Sequence, residues 1–239
     1  MSELRVEREG PLTRVILDRP QKSNALAPAL VEALLQVVEQ AAADGTRLMS
    51  FRANGRNFSA GFDFTDFEDC TGAELLWRFV RIEQLLQAVY FAPFATTAFA
   101  HGKNFGAGAD LFMACETRTA TPDATFRMPG LLFGIQLGTR RLAARVGQRN
   151  ARSMLGETRT VSGAECVDMG FVTRHAPQGD WGDEERQLVH AACMLDPDAA
   201  RRLRCATVHD TRAVDLADLV TSATHGDLKE RIRRYRQSG

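Results

Sequence analysis

The 239-residue chain has no CxxC pair, no glycine-rich phosphate loop of the GxGxxG or GxxxxGK[ST] kind, no apolar run of membrane-spanning length and no surplus of either charge. Each absence removes a class of protein. Cys70, Cys115, Cys166, Cys193 and Cys205 are odd in number and scattered, which suits neither a disulfide framework nor a zinc site. They are expected as buried free thiols in a reducing cytoplasm, and no metal is implied. Lys+Arg and Asp+Glu balance at 30 each, so global charge gives no reason to expect a nucleic-acid partner. Residues 1–9 carry charge where a secretory signal needs an apolar core, and a span of about 20 apolar residues is missing. A cytoplasmic protein without a membrane association is therefore expected. No internal repeat or low-complexity linker divides the sequence.

What is present is a hydrophobic fraction of 44% with 25% charged residues, enough for a sizeable core in one α/β unit with a helical appendage. Residues 4–9 and 13–18 alternate like strands around Gly10-Pro11, which predicts a hairpin. Residues 29–43 carry Leu30, Leu34, Val37 and Val38 on one helical face, and residues 74–89 carry Leu75, Phe79, Ile82, Leu85 and Leu86. Strands are predicted at 47–52 and 94–100. Strands alternating with helices argue for α/β layers. Beyond Gly147 the pattern turns helical, at 149–156, 163–169, 183–195, 198–208 and 213–235. Pro177, Gly179 and Gly182 place the boundary between the two parts, 1–176 and 177–239.

Several segments, in order, carry a family pattern. Arg19-Pro20-Gln21-Lys22-Ser23-Asn24-Ala25-Leu26 follows the second strand. Phe58-Ser59-Ala60-Gly61-Phe62-Asp63-Phe64 follows the third. His101-Gly102-Lys103-Asn104-Phe105-Gly106-Ala107-Gly108-Ala109-Asp110 opens a helix, and Val161–Val172 reads as turn, helix and strand. Together they resemble the crotonase (enoyl-CoA hydratase/isomerase) superfamily over about residues 13 to 175. The resemblance implies an α/β spiral of β-β-α turns followed by a C-terminal helical trimerisation region, assembled as a homotrimer or a dimer of trimers. It implies an acyl-CoA thioester as substrate, with coenzyme A as part of that substrate and no separate cofactor. The thioester carbonyl would sit between the backbone N–H groups of Phe62 and Ala107, an arrangement able to stabilise an enolate. As rival readings, Gly106-Ala107-Gly108 is mere helix–sheet packing or a phosphate loop.

The same resemblance assigns CoA contacts to Lys22, Ala60, Phe62 and Ala107, and an acid–base role to Asp110. Asp110 stands where the family has glutamate, one methylene longer by roughly 1.5 Å, and a shift of that order costs about 10²-fold in proton transfer. The family's second acid follows a proline, and here Pro129 is followed by Gly130. Arg127 replaces a glycine, to obstruct the pocket or pair with a carboxylate. Asp66, Arg127, Gly130 and Thr139 are candidates for the acyl pocket, with Glu68 and Arg140 behind them. Asp63, Asp66, Glu68 and Asp69 also read as a solvated acidic face, and Asp110 as a capping residue. His101 reads as structural, and Ser59 has no His–Asp pattern to make it a nucleophile. Lys22 is otherwise a solvated turn lysine. The resemblance implies that the basic helix with Lys229, Arg231, Arg233, Arg234 and Arg236 crosses to a neighbouring subunit and helps close its CoA site; nucleic-acid binding and a solvated helix end are the rival readings. Two functions stay open: an enzyme with an altered acid set, and a non-catalytic acyl-CoA-binding or assembly protein of the same fold.

Overall fold

The structure, a computed structural model, describes residues 3–238; Met1 and Gly239, at the outer ends of the two expected parts, lie outside the described residues, as does Ser2. The predicted hairpin is β1 (Leu4–Glu9) and β2 (Leu12–Leu17), paired antiparallel from Leu4↔Leu17 to Glu9↔Leu12. After a 3-10 turn at Pro20–Lys22, α1 (Pro28–Ala41) starts with proline at its first position, where the missing N–H costs nothing. Then come β3 (Leu48–Ala53), α2 (Gly72–Tyr90), β4 (Ala95–Ala100), β5 (Lys103–Phe105), α3 (Ala107–Ala114), β6 (Thr117–Ala120) and β7 (Thr125–Arg127). Helix α2 opens on a capping box, the Thr71 hydroxyl taking the Glu74 N–H and the Glu74 carboxylate the Thr71 N–H. The chain continues through α4 (Thr139–Gly156), β8 (Val161–Ser162), α5 (Gly163–Asp168), β9 (Arg174–His175), α6 (Trp181–Cys193), α7 (Pro197–Thr207), α8 (Arg212–Thr224) and α9 (Leu228–Gln237).

Six strands form one sheet in the order β1-β2-β3-β4-β6-β9, parallel from β2 onward. β2, β3 and β4 are buried along most of their length, as strands covered on both faces must be. A second sheet holds β5, β7 and β8, with β7 in the middle. Helix α3 follows directly on β5, and all eight of its residues are buried. Phe112 in its centre packs against Phe58, Phe126 and Phe171, so this short helix is held by surrounding aromatic rings rather than by an amphipathic face.

Two of the helices expected beyond Gly147 depart from expectation. The helix expected at 149–156 begins ten residues earlier, at Thr139, and is kinked where Gly147 leaves helical geometry. The single helix expected over 213–235 is two, α8 and α9, because Gly226 turns left-handed and Asp227 caps the new helix through Glu230 N–H. Cys70, Cys115 and Cys166 are buried thiols as expected, but Cys193 and Cys205 are exposed, because α6 and α7 present those faces outward. No helix of the described residues is long and apolar enough to cross a membrane.

Three helices are tied by charge inside the core. Arg141 on α4 donates to both oxygens of Glu83 on α2, at 2.8 and 2.5 Å, and to Asp215 on α8 at 3.4 Å. Glu83 and Arg141 are 1% and 2% exposed at the side chain, so neither charge has water to fall back on. Removing one partner leaves the other buried and alone, which costs about 3–5 kcal/mol, whereas replacing both with apolar groups is often nearly neutral. Arg141→Met should therefore lose about 3–5 kcal/mol of unfolding free energy in urea titrations, and the double variant E83L/R141M should recover most of that loss.

Candidate active site

Two backbone segments meet at the N-terminus of α3. The Phe58–Phe64 loop is pinned by hydrogen bonds from Ala60 N–H to the Ser23 carbonyl (2.9 Å), Leu26 N–H to the Gly61 carbonyl (2.7 Å) and the Ser59 hydroxyl to the Asn24 carbonyl (2.8 Å). Asn24 is fully buried and left-handed, and its amide reaches the carbonyls of Asn54 and Asn57, both at 2.9 Å. Asn24 in the Arg-Pro-x-x-x-Asn segment is thus a fastener for the loop. The other segment enters α3 through Phe105 and Gly106, whose amides donate to the carbonyls of Ser59 and Arg127.

The approach of these segments leaves no room for side chains. A Cβ on Gly61, at φ +85°, would collide with the Phe105 carbonyl and lie 2.9 Å from the Ala107 nitrogen. A Cβ on Gly108 would lie 2.5 Å from the Ser59 carbonyl oxygen. Ala107 is the first residue of α3, so its N–H has no acceptor within the helix. Among the described residues neither the Ala107 nor the Phe62 amide donates to another backbone or side-chain group. The helix N-terminus adds partial positive charge at Ala107.

Both residues border a cavity of about 560 Å³. Lys22, Ala60, Phe62, Ala107, Asp110, Arg127, Gly130 and Thr139 all line it. Its apolar wall includes a cluster of aromatic rings, with Phe62 stacked on Phe79 (4.3 Å between centroids) and Phe64 edge-on to Phe133. Asp110 is 5% exposed, and its Oδ1 has no hydrogen-bond partner. Burial pushes its carboxyl well above the usual aspartate range; the Arg141 guanidinium opposes this, and the Glu83 carboxylate reinforces it. Arg141 is occupied by Glu83 and gives Asp110 no direct hydrogen bond. Gly138, at φ +65°, lies against the carboxyl so tightly that a Cβ there would overlap Oδ1. Next in sequence, the Thr139 hydroxyl is also buried without a partner.

Other candidates fall elsewhere. Asp66 does not line the cavity: its carboxylate forms a two-point pair with Arg78, at 2.7 and 2.8 Å, which holds it below the usual range. Glu68 instead receives Arg233 from α9, and Arg140 is drawn from the cavity by Asp215 and Asp218. Asp63 does reach the cavity. Burial pushes its carboxyl up, but hydrogen bonds from Thr65 and Arg19 outweigh that and hold it below the usual range; the Arg19 contact is 2.5 Å. His101 does not line the cavity; its Nε2 is 2.8 Å from the Gly55 carbonyl. Gly130 opens a 3-10 turn, and a Cβ there would sit 3.0 Å from the Ile135 carbonyl. Arg127 neither fills the cavity nor pairs with Asp110; its Nε donates to the Thr158 carbonyl at 2.8 Å.

No sequence motif marks Tyr235 and Arg236 as cavity residues, yet both line it. The break at Gly226 brings α9 back towards the cavity. Leu228 and Ile232 are buried beneath it, Tyr235 packs 5.0 Å from Phe133, and Arg236 lies 5.5 Å from the Phe64 ring. Lys229 and Arg233 both engage Glu68, and Arg231 donates to the Ala223 carbonyl.

A parallel-sheet core, a second small sheet and an α3 N-terminus facing a cavity define a protein of the crotonase fold. The sequence profile of the family described as "Enoyl-CoA hydratase/isomerase" matches residues 7–225, and the chain belongs to that family. A probable enoyl-CoA hydratase of Bacillus subtilis is 35% identical over 63% of this chain and 60% of its own length. The probable enoyl-CoA hydratase echA6 of Mycobacterium bovis is 30% identical over 80% of this chain and 81% of its own. Among solved structures, a Bordetella parapertussis protein with a provisional enoyl-CoA hydratase/isomerase name is 46% identical, with a TM-score of 0.97 and 98% of each chain covered.

The buried Asp110 has a measurable sign. Its folded-state affinity for a proton exceeds that of the unfolded chain, so the native state binds more protons and stability falls as pH rises through the window above the ordinary aspartate range. Asp110→Asn should therefore unfold at a higher temperature than the wild type at neutral pH. That advantage should shrink towards zero as the pH is lowered to the ordinary aspartate range, as thermal melts across pH would record.

Proposed function

We propose that this chain is an acyl-CoA-binding enzyme that holds the thioester carbonyl on the Phe62 and Ala107 amides and stabilises the enolate formed there. The observation that carries the reading is the pair of unengaged backbone amides, on segments forced together at Gly61 and Gly108, beside a buried carboxyl in the same cavity. Fixed donors in a water-poor site stabilise developing charge without reorganising, and one such donor is typically worth about 10²–10³ in rate. Asp110 takes the α-proton as a carboxylate when the enolate forms and returns a proton as a carboxylic acid when the enolate collapses; burial favours the protonated form and so the return step. The Thr139 hydroxyl, also unengaged, is available to the acyl group. With Gly130 in place of a second acid, hydration by two carboxylates is not part of this proposal. Isomerase or lyase chemistry through a single proton carrier is.

The Ala60 carbonyl would take the adenine amino group, and the exposed Lys22 and Arg236 on the cavity lining would meet CoA phosphates. A homotrimer or dimer of trimers in the cytoplasm completes the proposal. The exposed Met194 (70%), Leu195 (45%) and Leu203 (54%) around α6 and α7 support an association surface. A non-catalytic acyl-CoA binder draws support from Gly130, where the close Ile135 carbonyl leaves little room for a larger residue.

Proton exchange separates the two. In D₂O with saturated and α,β-unsaturated acyl-CoA esters, the protein should incorporate deuterium next to the thioester, followed by NMR. Asp110→Asn should slow incorporation by about 10²–10⁴-fold with little change in calorimetric affinity for the same esters. Binding without incorporation or turnover of any ester would leave the non-catalytic reading, and no binding at millimolar ester would sink both.

A further inference from the structure

The cavity lining includes three cationic side chains, Lys22, Arg127 and Arg236, and none of them has an ion-pair partner among the described residues. The two carboxyl groups on the same lining do not balance them. Asp63 is engaged by Arg19, and burial works against the charged form of Asp110, which has no hydrogen-bonding cation beside it. The cavity is thus prepared for more than one negative group.

The three cations differ in setting. Lys22 and Arg236 are exposed, where phosphates can be met without dehydrating the cation fully. Arg127 is half-buried on β7, paired in register with Phe105, and its own carbonyl accepts the Gly106 N–H at 2.8 Å. Its backbone therefore stands beside the turn that presents the Ala107 amide. Its Nε is engaged by the Thr158 carbonyl at 2.8 Å, which fixes the plane of the guanidinium. Both terminal nitrogens remain without an acceptor among the described residues, so the edge left free is the two-pronged one that matches a carboxylate. A positive charge has been placed where an apolar acyl chain would have no use for it, on a lining shared with Phe105, Met128 and Leu155.

We propose that Arg127 is a specificity residue that binds a carboxylate carried by the acyl group, so that the preferred ligands are short dicarboxylic acyl thioesters of CoA. This rests on the acyl-thioester reading above. One side-chain length separates Arg127 from the Gly106–Ala107 turn, so the second carboxylate lies only a few bonds from the thioester carbonyl. The aromatic wall packs the carbons between the two ends.

Calorimetry on the full chain tests this with pairs matched in length: succinyl-CoA against butyryl-CoA, glutaryl-CoA against pentanoyl-CoA, and CoA itself. The carboxylated member of at least one pair should bind about tenfold or more tightly, as expected for a charged two-point contact. Arg127→Met should abolish that preference while changing the affinity for butyryl-CoA and CoA by less than about threefold. Arg127→Lys, which keeps the charge but not the fork, should restore it only in part. Equal affinity within both pairs in the wild type overturns the proposal and leaves the thioester reading intact. An equal loss for CoA, butyryl-CoA and succinyl-CoA in Arg127→Met also overturns it, by assigning Arg127 to a CoA phosphate. Absence of binding by every ester and by CoA overturns both readings together. Should Arg127→Met fail to fold, the paired comparison in the wild type and Arg127→Lys still decides.

Discussion

The Phe58–Phe64 loop and the turn into α3, from Phe105 to Ala107, approach more closely than side-chain-bearing residues at Gly61 and Gly108 would allow. Everything at the candidate site follows from that approach. It brings Phe62 and Ala107 to the border of one cavity, it seats the first turn of α3 beside them, and it brings Asp110, three residues along the same helix, to the same wall. The surrounding polar groups serve it: Asn24 braces one segment through two carbonyls, and Ser59 links it to the other. A backbone-made site of this kind tolerates varied side chains at the donors themselves. The choice of Phe62 and Ala107 is therefore set by packing, as in the stack of Phe62 on Phe79, whereas Gly61 and Gly108 are set by the backbone approach itself.

Charge is divided between two layers. In the core, Glu83, Arg141 and Asp215 satisfy one another and join three helices. On the cavity side, Asp110 receives the field of Arg141 without a hydrogen bond from it. Burial thus raises the proton affinity of the cavity carboxyl, with no hydrogen bond from the guanidinium to offset it. A paired arrangement and an unpaired carboxyl lie side by side, and the difference between them is a matter of who holds the guanidinium.

Much of this is legible in the sequence, for definite reasons. Strand and helix periodicities locate the hairpin, α1, β3, α2 and β4 to within a residue or two, because α1 and α2 each bury one face, β2, β3 and β4 are mostly buried runs, and Gly10-Pro11 marks the turn of the hairpin. The glycine pattern locates the amides, because close backbone approach admits few alternatives. Asp66 and Arg140 are misplaced by sequence because a charged residue near a site gives no sign of which partner will claim it; Arg78 and Asp218 do so from other helices. Arg127 reads in sequence as an obstruction or a partner of Asp110, and Thr158, from a distant loop, turns it to neither. Tyr235 and Arg236 are legible only as part of a long basic helix. Their arrival at the cavity depends on one left-handed glycine, Gly226, whose effect on direction cannot be summed from local propensities.

That fold-back has a consequence for how occupancy is communicated. The cavity is bordered by Lys22 near one end of the chain and by Arg236 near the other. A molecule lying between them would act as a removable staple closing a loop of almost the whole polypeptide, and α9 could not peel away without opening that loop. Anything held between the two would tie α9 to the first turn of the fold and slow its fraying, since local opening there would first have to release what is held.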